Sequence, residues 1–387
     1  MNVRSLLPLV VAPAVLACGD DASSSKLPAN AAEAVTTYAR IVSATYEDSA
    51  TAAAELEAAV TALLVTPSQA TLDAAREAWL DAREPYLQTE VFRFYDGPID
   101  EPEADLEPKI NAWPLDESHI DYVAGDADAG IVNDHTVLLD ADTLVSKNAE
   151  GGDENVATGW HAVEFLLWGQ DRATDGPGDR KHTDFMDGGS ATNPARRTQY
   201  LAVVSALLVS HLETVRDAWA DGADYRAGLE AASPAEGLRR ILTGMITLSG
   251  FETGGERLQA ALDSGSQEDE HSCFSDNTHR DMIQDIQGVL NVWRGEYRRL
   301  DGTLVSGVGI RDVVAAVDTD LRDALDARID ASLALANALV PPFDQEIALS
   351  NTAGRARVTA LVVSLREQED LLEDVFRLFD LSVPVVE

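Results

Sequence analysis

A histidine and a glutamate three positions apart are the residues of this sequence best suited to hold a metal ion. His161 and Glu164 lie in the segment GWHAVE, residues 159–164. Positions i and i+3 of a helix share a face, so imidazole nitrogen and carboxylate oxygen could reach the same cation. This pair suits iron, zinc or manganese better than calcium. The alternative is an ion pair, because the apolar run that follows predicts a buried helix in which neither group can stay unpartnered.

A second group of candidate ligands lies in the acidic stretch between residues 267 and 281. It contains His271, His279 and the lone cysteine Cys273. Either histidine could ligate a metal. Asp276 could cap the helix predicted to follow it. His271, which follows several acids, could equally be an ion-paired surface residue.

Two further acids could contribute to the same site. Glu90 falls on the stripe that carries Tyr86 and Arg93, so an ion pair with Arg93 is the first interpretation and a position beside His161 the second. Glu256 and Arg257 follow two glycines that permit close helix approach. That pair could form a buried interaction or face solvent.

The sequence lacks the motifs that several other kinds of site require. The sequence has no His-Glu-x-x-His motif, which in many zinc peptidases supplies two ligands and a base. It has no Cys-x-x-Cys zinc pattern, no Cys-x-x-Cys-His haem attachment motif and no glycine-rich phosphate loop. The acids around Cys273 should raise the pKa of its thiol and weaken it as a nucleophile.

The charge balance is strongly acidic. The chain has 67 Asp and Glu against 29 Lys and Arg, a formal net charge of −38. Such a surface repels nucleic acid and anionic headgroups, and it concentrates cations. Solubility or salt tolerance would also account for the acidity. The protein is therefore not expected to bind nucleic acid.

The N-terminus predicts export and lipidation. A short basic start and an apolar core, too short to span a bilayer, predict a signal peptide over residues 1–17. The sequence Val-Leu-Ala before Cys18 resembles a bacterial lipobox, which implies lipidation of Cys18. Residues 18–30 would form a flexible tether. Gly19 after the cysteine favours the outer membrane, and contact with the membrane would be through the lipid anchor alone.

The rest of the sequence predicts an all-α protein. Apolar residues recur at helical spacing, and strand signals are scarce. Two four-helix-bundle-like halves, residues 31–225 and 226–387, would pack against each other with long ordered loops. The predicted helices cover residues 31–64, 69–94, 156–168, 194–220, 234–262, 277–300, 309–339 and 351–379.

Five separated motifs together resemble imelysin-like proteins. They occur over residues 31–381 as R-x-P-Y-x-x-x-E (83–90), NAWPL (111–115), G-x-H-x-x-E followed by FLLWG (159–169), GER (255–257) and SCFSDNTH (272–279). The resemblance implies two helical bundles with a cleft between them, export, and association with iron uptake. It also implies that His161 and Glu164 are metal ligands, with Glu90, Glu256, Asp276 and His279 as additions.

The resemblance favours one function and leaves two open. The first is a non-catalytic lipoprotein that binds iron or another divalent metal, such as zinc, and works with membrane components of iron uptake. The second is a zinc peptidase, because the family has a metallopeptidase label. The third is a surface protein that binds haem, a peptide or a polysaccharide in a cleft. Trp113, Arg93 and Arg257 would then be cleft or structural residues.

Overall fold

The computed structural model describes residues 27–173 and 175–384. Within them the protein is helical apart from one small antiparallel sheet, which confirms the all-α prediction. The predicted signal peptide, Cys18 and most of the tether lie outside the described residues. Among the described helices, none is both long and apolar enough to cross a membrane.

The first half of the chain is built around one long helix. This helix, α1, spans Ala31–Val65 and packs against α2 (Gln69–Leu87), α7 (Pro194–Ala218) and α9 (Pro234–Ile246). A capping box formed by Ser68 and Thr71 starts α2 at Gln69, where the sequence predicted a helix to begin. The helices of this half are α1 (Ala31–Val65), α2 (Gln69–Leu87), α3 (Glu107–Asn111), α4 (Glu117–Ile120), α5 (Ala141–Lys147), α6 (Gly159–Trp168) and α7 (Pro194–Ala218).

The second half contains an unusual helical segment. Between α9 and α10 the backbone forms a π-helix from Thr247 to Gln259, so the helix predicted over residues 234–262 is continuous but changes its hydrogen-bond spacing along its length. The helices here are α8 (Asp224–Ala231), α9 (Pro234–Ile246), α10 (Ala260–Ser264), α11 (Thr278–Arg294), α12 (Ile310–Ala315), α13 (Thr319–Ala336), α14 (Phe343–Ile347) and α15 (Thr352–Leu378).

Some predicted helix bounds were wrong. The helix predicted to reach residue 300 ends at Arg294, because Gly295 adopts a left-handed conformation with φ of 67°. Two strands follow, β1 (Glu296–Arg298) and β2 (Leu304–Ser306). The helix predicted over 309–339 is two helices, α12 and α13, separated by an Asp318 cap. The long loop between the helices predicted over 69–94 and 156–168 contains the short helices α3, α4 and α5.

Buried apolar side chains form two clusters. The larger includes residues from α1 through α15 and therefore draws on both halves of the chain. The smaller lies entirely in the second half, with members such as Leu258, Met282, Phe343 and Leu361. The division into two bundles, at residues 225 and 226, remains a prediction.

Aromatic side chains pack together where α2 meets α6. Trp79 of α2 contacts Trp160 and Trp168 with edge-on geometry, at ring-centroid distances of 6.3 and 5.3 Å. The Trp79 indole N–H donates to the carbonyl oxygen of Trp160 at 3.1 Å. These contacts fix α6, and with it the helix face that carries His161.

The first residue of α6 is a glycine for a steric reason. Gly159 has a φ of 88°, and a Cβ there would lie 2.4 Å from the Ile110 carbonyl oxygen of α3. Any side chain would therefore have both an unfavourable backbone conformation and an overlap with α3. This explains the first position of the G-x-H-x-x-E motif.

Replacing Gly159 with alanine should cost roughly 2 to 5 kcal/mol of unfolding free energy, from the left-handed backbone plus the overlap. Gly188 is the matched control, since it has a φ of 73° but nothing within 4 Å of a Cβ. Gly188→Ala should cost only the backbone part, roughly 1 to 2 kcal/mol. Equal losses in chemical denaturation of the two variants would contradict the steric account.

Candidate metal centre and its ion-pair network

The structure confirms that His161 and Glu164 face each other on α6. Both side chains are buried, and His161 Nδ1 lies 2.8 Å from Glu164 Oε2. The other carboxylate oxygen, Oε1, accepts hydrogen bonds from the Ser275 backbone N–H at 2.9 Å and from its hydroxyl at 2.6 Å. Both oxygens of Glu164 are therefore engaged.

A second histidine lies against the first. The rings of His161 and His271 are 4.9 Å apart between centroids and inclined by 70°. His271 Nδ1 lies 2.7 Å from Asp281 Oδ2, which also accepts the Ser272 hydroxyl at 2.5 Å. Each imidazole is thus held at Nδ1 by a buried carboxylate. The other nitrogen of His161, Nε2, is buried and has no protein partner.

Burial and nearby guanidinium groups keep both imidazoles neutral. Burial lowers the pKa of His161 well below its usual value, and Arg83 lowers it further. Burial, Arg257 and His161 do the same for the pKa of His271. A neutral imidazole that donates its Nδ1 hydrogen to a carboxylate has a lone pair at Nε2, the atom that binds metals. Burial also raises the pKa of Glu164 to about 8, although the hydrogen bonds from Ser275 lower it.

Arg83 is buried in an aromatic cage beside the two histidines. Its guanidinium lies 5.4, 5.3 and 5.6 Å from the ring centroids of Trp79, Tyr86 and Trp160. It donates to Asn111 Oδ1 at 2.7 Å and lies 3.5 Å from Asp281. Arg83 thus joins α2, α3 and α11, which together surround the histidines.

A second buried network is centred on Arg257 of the π-helix. Its guanidinium donates to Glu90 Oε2 at 2.5 Å and to Asp285 Oδ2 of α11 at 2.9 Å. Arg93 also donates to Glu90, at 2.8 Å, which confirms the predicted ion pair. The sequence had not paired Glu90 with Arg257, 167 positions away. One oxygen of each acid, Glu90 Oε1 and Asp285 Oδ1, is buried without a partner.

The two acids of this network differ in their protonation. Burial opposes ionisation of Glu90, but Arg93 and Arg257 outweigh it and hold the pKa of Glu90 well below its usual range. Burial raises the pKa of Asp285 to about 7. Arg257 lowers this pKa, but the negative charge of Glu90 offsets much of that effect. The Arg257 guanidinium therefore binds one acid that stays ionised, Glu90, and one that titrates near neutral pH, Asp285.

A cavity of about 390 Å³ connects His271 and the Arg257 network to the surface. His271, Arg257, Arg93 and Asn111 are among its lining residues. Trp113 stands edge-on to His271 at 5.7 Å and donates its indole N–H to the Glu270 carbonyl oxygen at 2.7 Å. Four lining acids favour the entry of cations: Asp105, Glu107, Asp153 and Glu252.

The other predicted ligands lie in different surroundings. Glu256 is exposed, whereas its neighbour Arg257 is buried. Asp276 is buried with a φ of 59°, and its carbonyl oxygen lies 3.2 Å from His279 Nδ1. Of the two histidines left open by the sequence, His271 is the one that contacts His161. Within the described residues, no three His, Cys, Asp or Glu side chains are arranged to hold a metal ion between them.

The fold and the buried histidine pair define an all-helical protein with a candidate metal centre at the end of an acidic cavity. The chain belongs to the imelysin family, whose model (Imelysin, Peptidase M75) matches residues 42–372.

Individual relatives agree with this assignment. Iron-regulated protein A of Synechococcus elongatus (strain ATCC 33912 / PCC 7942 / FACHB-805) is 22% identical over 346 residues, which cover 86% of this chain and 82% of that protein. The crystal structure of a protein assigned as an iron-regulated protein A precursor, from Parabacteroides distasonis ATCC 8503, has a TM-score of 0.71 at 20% identity, covering 90% of this chain and 95% of that one. An imelysin-like protein from Psychrobacter arcticum 273-4 has a TM-score of 0.66 at 15% identity, covering 92% and 98%.

The Arg257 network predicts a large stability effect. Glu90→Gln should lower the unfolding free energy by about 3 to 5 kcal/mol, because two buried guanidinium groups lose their shared counter-ion. Glu373→Gln, which breaks the exposed ion pair with Arg377, is the control and should change stability far less. Comparable losses of unfolding free energy in urea would show that the buried network stabilises the protein no more than an exposed ion pair does.

Asp285 predicts a pH effect of defined sign. Its pKa is raised from an ordinary value of 3.8 to about 7 in the folded protein, so between these values the folded state binds more protons than the unfolded state. The stability of the wild type relative to Asp285→Asn should therefore fall as pH rises from about 4 to about 7. Urea unfolding of both proteins at several pH values measures this stability difference. A difference that stays constant or rises with pH would contradict the prediction.

Proposed function

We propose that the protein is an exported, non-catalytic member of the imelysin family that binds iron or another divalent metal in iron uptake. The observation that carries the proposal is the pair of neutral, buried histidines whose Nδ1 atoms are held by carboxylates. Histidines that ligate metals are typically oriented in this way by a second group at the other ring nitrogen. The buried Nε2 of His161, which has no protein partner, is the atom available to a metal.

The residues divide into ligands and orienting groups. His161 and His271 would bind the metal through Nε2, and Glu164 and Asp281 would fix their ring orientations. This differs from the sequence interpretation, in which Glu164 is a ligand, because both Glu164 oxygens already contact Ser275 or His161. Imidazole ligands suit iron or zinc. With two protein nitrogens, the remaining coordination positions would be filled by water or other groups in the cavity.

Three further observations support a role in iron uptake. The acidic cavity wall and the net charge of −38 favour cations at its mouth. The relative from Synechococcus is called iron-regulated protein A. The sequence before Cys18 predicts export and a lipid anchor, in the outer membrane or facing the periplasm, with membrane components of iron uptake as partners. A zinc peptidase would also need a general base free to act on a metal-bound water, whereas Glu164 is held on both oxygens.

Calorimetric titration of the purified protein with Zn²⁺, and with Fe²⁺ without oxygen, tests the proposal. We expect one site, with affinity at least tenfold weaker in His161→Ala and in His271→Ala, and about 10- to 100-fold weaker in Glu164→Gln, which disturbs only the orienting group. His135→Ala, which removes an exposed histidine, should bind like the wild type.

Wild-type affinity in both His161→Ala and His271→Ala would reject this site. Hydrolysis of peptides by the metal-loaded protein, lost in the same two variants, would replace the non-catalytic proposal with the peptidase.

A further inference from the structure

The side chain of Arg180 is only 1% exposed, yet one edge of its guanidinium is unused. Nη1 donates to Asp121 Oδ2 at 2.9 Å and lies 3.5 Å from Asp184 Oδ2. Nε and Nη2 are also buried, and neither has a hydrogen-bond acceptor within the described residues. These two N–H groups point in the same direction, so together they can bind a carboxylate or a phosphate through two parallel hydrogen bonds. Buried donors are costly when nothing accepts from them.

Two small cavities meet at this arginine. They have volumes of about 260 and 190 Å³ and share three lining residues, Tyr122, Asp179 and Arg180. Gly169, the residue after α6, lines the smaller cavity, and a Cβ on it would lie 3.5 Å from Arg180 Nε. Because glycine has no side chain to cover Nε, the unused edge of Arg180 lies beside the smaller cavity. A water molecule takes up roughly 30 Å³ of liquid, so this cavity has room for an anion of a few heavy atoms.

The positive charge around Arg180 is not fully balanced. Arg172 lines the smaller cavity, is exposed, and forms no ion pair within the described part of the chain. Arg76 of α2 donates to the Arg180 carbonyl oxygen at 2.9 Å, and its carboxylate partner Asp73 is 4.0 Å away. Burial lowers the pKa of Arg76, and the charge of Arg180 lowers it further. Arg76 also donates to the Leu167 carbonyl oxygen, which offsets the negative end of α6.

The acids that line the two cavities already bind other groups. Asp179 accepts a hydrogen bond from the Lys181 ammonium at 2.8 Å. Asp184 accepts the hydroxyl groups of Tyr122 at 2.5 Å and Ser190 at 2.6 Å. The two linings together contain three basic and two acidic side chains, whereas the whole chain has 29 basic and 67 acidic ones. An anion is therefore repelled less here than the net charge of the protein would suggest.

We propose that the smaller cavity binds an oxyanion, the carboxylate or phosphate group of a small molecule, through Nε and Nη2 of Arg180, with Arg172 as a second cationic group. Asp121 holds the Arg180 guanidinium through Nη1 and is itself held by Arg197 at 2.6 and 2.8 Å. The donor edge is therefore fixed before a ligand arrives, which lowers the entropic cost of binding. The site is separate from the histidine pair, because it lies at the C-terminal end of α6 and His161 lies in the first turn.

The test is a calorimetric titration of the full chain, freed of metal with EDTA, with sodium phosphate and separately with sodium acetate at constant ionic strength. We expect one saturable site for at least one of these anions, and the tighter of the two identifies the preferred group. Arg180→Lys keeps the positive charge but cannot offer two parallel N–H groups, so its affinity should be about tenfold weaker or less. Arg298→Gln, which removes an exposed arginine without an ion pair in the described structure, is the control and should bind like the wild type.

Two more variants separate this site from unfolding and from the histidine pair. Arg172→Gln alters only an exposed side chain, so it should fold normally and bind the anion about two- to fivefold more weakly. The double variant His161→Ala, His271→Ala should bind the anion like the wild type, so a failed metal site leaves this result intact.

A crystal soaked in the tighter anion locates the site directly, including in the case where Arg180→Lys does not fold. The anion should lie within hydrogen-bond distance of Arg180 Nε and Nη2. Absence of saturable binding for both anions, wild-type affinity in Arg180→Lys, or an anion located away from Arg180 would overturn the proposal and leave water as the acceptor.

Discussion

The buried charge of Arg257 is the constraint on which this region of the protein depends. A guanidinium in the interior is tolerated only with acids placed against it, and its partners here come from the segment after α2 and from α11. Three parts of the chain must therefore meet in one arrangement before the network is complete. The same arrangement places Arg257 and His271 along one cavity wall, so the ion pairs that hold the helices together also shape the candidate metal centre.

The two histidines have matching surroundings despite different origins. His161 belongs to a regular helix and finds its carboxylate one turn away, whereas His271 belongs to a loop and finds Asp281 ten positions further along. Both acids contact the imidazole at Nδ1, and an ionised carboxylate at that position selects the tautomer with its hydrogen on Nδ1. Neighbouring guanidinium groups disfavour protonation of either ring. The protein thus presents neutral imidazole nitrogens in a region crowded with charged groups.

Local patterns in the sequence predicted the helices and the contact between His161 and Glu164, because helical periodicity is a short-range property. The same reasoning predicted the ion pair between Glu90 and Arg93. It could not select His271 over His279, since their positions depend on how a loop folds against α6. Nor could it pair Glu90 with Arg257, because that contact depends on tertiary packing.

The π-helix makes the number of residues in this segment important. An α-helix advances by about 100° per residue, and i→i+5 hydrogen bonding absorbs extra residues without breaking the rod. The direction in which Arg257 points is therefore set by the number of residues between Thr247 and Gln259 as well as by their types. Deleting a single residue there would change the angular phase of everything after it, turning the guanidinium off its acids while each remaining side chain stayed the same. At this position, an insertion or deletion is a more drastic mutation than a substitution.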